Sequence, residues 1–337
     1  MEAITGRQFK AYVGLDWADT KHDVCIQVEG STSRSFECIP HRVDKIEDWV
    51  VSLYQRTGGP IAVVVELTRG PIVYALQKYG FIEIVPVNSS TLARYRKLLH
   101  PSGAKDDPTD AELMLDLVLK HPERFCVLES QSEKLRELHL LVEHRRQLVA
   151  DKVRFTNRLC SALKQYYPQS LEWFEKRDTR LFCEFINRWP TLKKAQRART
   201  STLEKFFHEH HTFRKSVLMR RLEGIRTASE LTDDDALVRS YALKVQVVAG
   251  QLKQTLAAIE QYDEAIADIA VDHPDYDLFA ALPGAGTALA PRLLVAFGEQ
   301  RGRFKSADEL QMYAGIAPVT ERSGQKQWVH WRTQCPR

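Results

Sequence analysis

Four carboxylates stand where they could do chemistry. Asp16 closes the apolar run AYVGLDWA, Glu66 ends the run IAVVVE, and Asp107 and Asp110 lie three apart in KDDPTDAELM. Pro108 suits the first turn of a helix, and acids at i and i+3 around that turn can point the same way. Asp106 fits the spacing less well and is read as a bystander. An acid directly after a buried apolar run needs a reason, because an isolated charge is costly away from water. Carboxylates at neighbouring strand ends, joined by a pair from a helix start, make a hard oxygen cage that suits Mg2+ or Mn2+. Two such ions about 4 Å apart could activate a nucleophile and stabilise the leaving oxygen in phosphoryl transfer.

The elements that must position these acids read as α/β. AYVGLDWA, HDVCIQVE, SRSFECIP, IAVVVE and FIEIVPVN are predicted strands, the first three forming a meander. Helices are predicted near Lys45–Gln55, over IVYALQKYG and over STLARYRKLL. Buried strands alternating with helices argue for an α/β domain, placed at 8–125. An acid after an apolar first strand also opens actin-like sugar kinases and chaperone ATPases. Those need a small, glycine-rich phosphate turn, whereas here Trp17, Ala18, Asp19 and Thr20 follow, with an indole where close backbone approach is wanted.

A helical arm is expected at 126–273. Leu135, Leu138, Val142, Val149, Phe155, Leu159 and Ala162 form one stripe of a long helix. In a second, Val238, Val245, Leu252, Ile259 and Ile266 recur seven apart, with Tyr241, Val248, Thr255, Tyr262 and Ile269 three after each. That is the repeat of a coiled coil, and it equally describes an antiparallel hairpin packed on its own neighbour. A third, mainly helical unit is placed at 274–337. It opens on LPGAG, where Gly284 and Gly286 could let backbone N–H groups approach a phosphate, or simply turn the chain between helices. This unit ends at Arg337 with no element visibly completed, which reads as a truncated domain.

The net charge of +4 proves no nucleic-acid binding, but residues 193–226 carry ten Lys or Arg against three Glu. Such a block suits phosphate contacts or a solvated helix face. Candidate nucleic-acid contacts are Arg94, Arg96, Lys97, Lys105, Lys193, Lys194, Arg197 and Arg199, with Gly284, Gly286, Arg322 and Lys326. Cys25, Cys38, Cys126, Cys160, Cys183 and Cys335 form no C-x-x-C pair and are read as reduced, mostly buried thiols. Without a signal-peptide layout or a run of eighteen apolar residues, the expectation is a cytoplasmic protein with no membrane partner.

GLDWADTKHDVCI, VVVELTRG, GAKDDPTDA, ALPGAGTALAPRLLVAFG and YAGIAPVTERSG, in that order, resemble the insertion sequence one-ten family of transposases. The resemblance covers nearly the whole chain. It implies an RNase H/RuvC-like fold for about 10–120, a DEDD set at Asp16, Glu66, Asp107 and Asp110 holding Mg2+, and a nucleophilic serine at Ser323, before Gly324. It further implies DNA and a structured guide RNA as partners, and a homo-oligomer, dimer or tetramer, with composite sites. After the Ser-Gly step the family's domain continues well beyond the thirteen residues Gln325–Arg337 found here. On its own residues Ser323 reads as a turn serine, with no His in triad spacing. Two other readings stay open: a water-using nuclease or resolvase, and an inactive nucleic-acid-binding form.

Overall fold

A computed structural model describes residues 4–99 and 107–330, apart from the side chains of Asp107, Pro108 and Arg301. Lys105, Asp106 and Cys335 lie outside the described residues. The chain divides into two compact units. One runs through Ser130 and resumes at Gln300, and the other is Gln131–Glu299.

The first unit is built on five strands: β1 (Ala11–Trp17), β2 (Lys21–Val28), β3 (Arg34–Pro40), β4 (Ile61–Val65) and β5 (Ile82–Pro86). Its helices are α1 (Val43–Thr57), α2 (Pro71–Gln77), α3 (Ser89–Leu99) and α4 (Asp107–Lys120). The sheet order is β3-β2-β1-β4-β5, with only β2 antiparallel to its neighbours. The meander is therefore β1 to β3, and β4 and β5 extend the sheet on the other side of β1. Strand alternation sends Val13, Leu15, Val63 and Val65 into a core with Trp49, Leu53, Ile72 and Leu76. The opposite face buries Ala62 and Val64 under Leu113, Met114 and Leu117 of α4. Gly14 permits that close packing, since a Cβ there would sit 1.9 Å from the Ala111 carbonyl oxygen.

In the second unit, α5 (Glu133–Leu163) and α11 (Asp235–Val271) run antiparallel. Leu135 and Leu138 share a core with Ile266 and Ala270, and at the other end Leu159 and Leu163 meet Val245 and Val248. Ser132 and Asp234 cap the two helices by accepting from backbone N–H groups of the first turn. Between them the chain forms a lobe of α6 (Gln169–Glu172), α7 (Arg180–Arg188), α8 (Leu192–Arg197), α9 (Thr200–Glu209) and α10 (Lys215–Thr227). Its core is aromatic, including Tyr167, Trp173, Phe174, Phe182, Phe185 and Phe207. The heptads are met inside this chain: Val245 and Leu252 are fully buried in that core, while Ile259 is half-buried.

After α11 come α12 (Tyr276–Ala280) and α13 (Gly286–Phe297), whose Phe279, Ala290 and Leu294 pack against Leu135 and Ile266. Ala285 of the LPGAG segment, read as the opening of a third unit, packs in the same core, against α5 and α11. Beyond it, α14 (Ala307–Ala314) precedes a hairpin of β6 (Val319–Ser323) and β7 (Lys326–His330), so this region is not wholly helical. Of the described thiols only Cys25 and Cys183 are buried, and Cys38 is exposed, which corrects the expectation of mostly buried cysteines. Among the described residues no helix is long and apolar enough to cross a membrane.

Candidate active site

Asp16 lies on the face of β1 that carries Gly14, the face covered by α4. Leu15 pairs with Val65 in the parallel β1–β4 register, so Glu66 comes level with Asp16 at the same strand end, on the side of Val64. Asp110, 3% exposed, precedes the residue whose carbonyl touches Gly14. Strand register and helix docking therefore bring Asp16, Glu66 and Asp110 to one face. Asp107 begins α4 one turn earlier, and its side chain is outside the described residues. Among the described residues no group of three or more Asp, Glu, His or Cys is close enough to hold a metal. Arg96 answers Asp110 instead, its Nε donating to Oδ1 at 2.7 Å.

Asp23 was not singled out from sequence. It stands directly opposite Asp16 across the β1–β2 pair, 8% exposed, with Lys21 Nζ at 2.9 Å. Like charges directly opposite repel, so this end of the sheet favours cations. Alternation in HDVCIQVE could have found it, because Cys25 shares its face and packs with Ala111.

Farther along α4, Asp116 accepts from Arg34 at 2.9 Å and Tyr95 at 2.6 Å, with Lys120 Nζ at 2.7 Å. Burial pushes its pKa up, but those partners outweigh burial and bring it to about 2. On the opposite sheet face Trp17 stacks on His22, whose Nε2 is 3.0 Å from His41 Nδ1. Burial, then His41, lowers His22 to about 4, leaving it neutral at neutral pH.

Ser323 ends β6 and pairs with Lys326 across the turn Gly324–Gln325, where Gly324 has φ 59°. It is exposed, and no described residue hydrogen-bonds its hydroxyl. Arg322 donates to Gln327 Oε1 at 3.1 Å, Lys326 is exposed, and His330 faces Glu321 at 3.5 Å. No base within the hairpin activates the serine.

Of the other candidates, Arg94, Lys97, Lys194, Arg197 and Arg199 are exposed, and Lys193 pairs with Glu230 at 3.1 Å. Arg96 is turned inward to Asp110. Gly284 and Gly286 have φ 79° and 53° and are exposed, with open space where a Cβ would stand. Part of the basic block is structural. Arg221 donates to the Trp173 carbonyl at 3.0 Å and covers the Phe174 ring, and Arg226 donates to the carbonyls of Gln196 and Ala198.

Residues 13–168 match a family model of IS110-type DEDD proteins described as Transposase, and residues 276–336 match one described as Transposase IS116/IS110/IS902 family. The chain is a DEDD-type transposase, and its mixed sheet suits the RuvC-like class that such a domain suggests. It belongs to the IS110 family. The mini-circle protein of IS117 from Streptomyces coelicolor, named as a transposase, is 28% identical over 326 residues, covering 94% of this chain and 78% of its own length. The insertion element IS116 uncharacterized 44.8 kDa protein of Streptomyces clavuligerus is 23% identical over 333 residues, 98% of this chain and 82% of its own. For the insertion element IS110 uncharacterized 43.6 kDa protein of Streptomyces coelicolor the figures are 29% over 242 residues, 67% and 55%.

Proposed function

We propose that this transposase cleaves and rejoins DNA at insertion-element ends, with Ser323 as nucleophile and a Mg2+ or Mn2+ ion held by Asp16, Glu66, Asp107 and Asp110. The observation that carries this reading is the shared face of Asp16, Glu66 and Asp110 at one end of adjacent parallel strands. An all-carboxylate donor set suits a hard cation, and Arg96 against Asp110 shows that this position draws positive charge. The bound cation would supply charge stabilisation to the attacked phosphate.

The chain's own residues do the rest. Register holds Asp16 and Glu66 level, and the docking of α4 on Gly14 holds Asp110. Arg322 and Lys326 flank the serine and can engage a phosphate. Ser323 Oγ gives up its proton and bonds to phosphorus as one deoxyribose oxygen leaves and takes up a proton. Attack by an incoming strand's hydroxyl, with loss of its proton, then releases the serine, which is reprotonated. A serine hydroxyl is a weak nucleophile without a base, and the hairpin offers none, so the acids are the groups to take its proton. Ser323 lies beyond the arm in sequence, which favours its facing the acids of a second copy in a dimer or tetramer. Val245 and Leu252 are already covered by their own chain, so an assembly through the arm would use its other faces. Partners on this reading are DNA and a structured guide RNA, whose base pairing would choose the target.

Two inactive variants, Ser323→Ala and Asp16→Ala, should partly restore cleavage when mixed. A covalent protein–DNA adduct should form with the wild type and vanish in Ser323→Ala. An adduct that persists there contradicts the assignment. One observation favours a second reading, in which water attacks: no described residue hydrogen-bonds the Ser323 hydroxyl. Cleavage without any adduct would identify it.

A further inference from the structure

We infer that the corner joining α9 to α10 is a stacking site for single-stranded nucleic acid, with Phe213 as its shelf. Phe213, 68% exposed, is the most exposed aromatic ring among the described residues. Two imidazoles lie against it. His208 stacks with centroids 5.8 Å apart and planes at 23°, and His211 meets the ring edge at 6.1 Å. Arg214 and Lys215 follow at the start of α10, both exposed, and no described residue pairs with either side chain. The nearby acid, Glu209, is engaged by Lys205 at 3.9 Å.

The backbone supplies an independent observation. Thr212 N donates to the Phe207 carbonyl at 2.8 Å and His211 N to the His208 carbonyl at 2.9 Å, a Schellman closure of α9. Its left-handed position is His211, at φ 57°, the only non-glycine residue with positive φ among those described. Glycine suits that position, and another residue there costs about 1 kcal/mol. The strain sets an imidazole against Phe213, and strained residues of this kind cluster at functional sites.

A flat apolar ring flanked by imidazoles accepts unstacked bases, and the cations beside it accept the phosphates between them. Single strands are held this way with little sequence preference. A duplex keeps its bases stacked inside and could use only the cations. The inference concerns the lobe alone, so it stands or falls separately from the cleavage chemistry.

Its test is fluorescence anisotropy on the full chain at several salt concentrations. The probes are labelled oligo-uridine and oligo-thymidine strands of about 12 nucleotides, within the span of one such groove, and a DNA duplex of equal length. Phe213→Ala should weaken both single strands about tenfold and leave the duplex nearly unchanged, while Phe213→Trp should retain binding. Replacing Arg214 and Lys215 with Gln should flatten the logarithmic salt slope for single strands by about 1.4. His211→Gly should raise the melting temperature yet weaken single-strand binding, a pair of signs that a purely structural histidine would not give. Preference for the uridine strand would mark RNA as the natural occupant, and the reverse would mark DNA. Unchanged single-strand binding by Phe213→Ala, or equal losses on single strand and duplex, overturns the proposal.

Discussion

The α/β unit and the helical lobe differ in how many of their basic side chains are met by acids. In the α/β unit, basic side chains beside the sheet are met by acids: Arg96 of α3 by Asp110 of α4, Arg34 of β3 by Glu112 and Asp116 of α4, and Lys21 by Asp23 within β2. In the lobe, Arg221 and Arg226 are taken up by backbone carbonyls, while Lys194, Arg197, Arg199, Arg214 and Lys215 face outward. Register fixes where a strand residue points, so an acid at the end of β1 or β4 has a defined neighbour. The lobe's charges are placed by aromatic packing among short helices, which no local pattern announces. A cluster of like charges in sequence is therefore a poorer guide to a site than two acids at the ends of adjacent strands.

The contrast can be strained experimentally. Leu252→Asp should have the largest effect, about 4 kcal/mol or more, because it puts an unpaired charge into the lobe core. Circular dichroism should show the helical unit melting first while the α/β unit persists. An unchanged melt with a smaller assembly would mean that Leu252 faces a partner instead. Gly14→Ala comes next, at about 3 kcal/mol, since the added methyl meets backbone and not a yielding side chain. It should also displace Asp110, so divalent-cation binding measured by calorimetry should weaken beyond what the lost stability explains.

A smaller effect is expected from pH. Asp116 has a folded pKa of about 2, below the ordinary aspartate value of 3.8. Its contribution is present above about pH 4 and is lost as pH falls toward about 2, in total roughly 2 kcal/mol. Urea melts across that range should show the loss in the wild type and a flatter profile in Asp116→Asn. Equal profiles would show that the Arg34–Asp116–Tyr95 contacts are not what fixes α4 to β3 and α3.

The five strands were legible as short alternating or, in β4, continuous apolar runs, and the ends of β1 and β4 pointed to Asp16 and Glu66. Alternation in HDVCIQVE puts Asp23 on the face of Cys25, but that it stands opposite Asp16 is a property of strand pairing, which one strand's own pattern does not show. The heptads of α11 were visible, but a repeat of seven does not name the surface it meets, and Val245 and Leu252 meet their own chain. The lobe escaped because helices as short as the four residues of α6 carry too little period. Arg221 and Arg226 looked like neighbouring surface cations for the same reason. At the hairpin only Ser323–Gly324 signalled a turn, and the strands flanking it are exposed and polar enough to read as loop.

The central claim is that Glu66 belongs with Asp16 and Asp110 to one cation-dependent site. Single-turnover cleavage of insertion-end DNA in Mg2+ by Glu66→Gln, beside a thermal melt of the same protein, tests it most directly. Charge is lost while shape is kept, so the account predicts an unchanged melt and a rate reduced roughly a thousandfold, since metal-ion charge stabilisation contributes several kcal/mol and each 1.36 is tenfold. Cleavage by Glu66→Gln at the wild-type rate would contradict it.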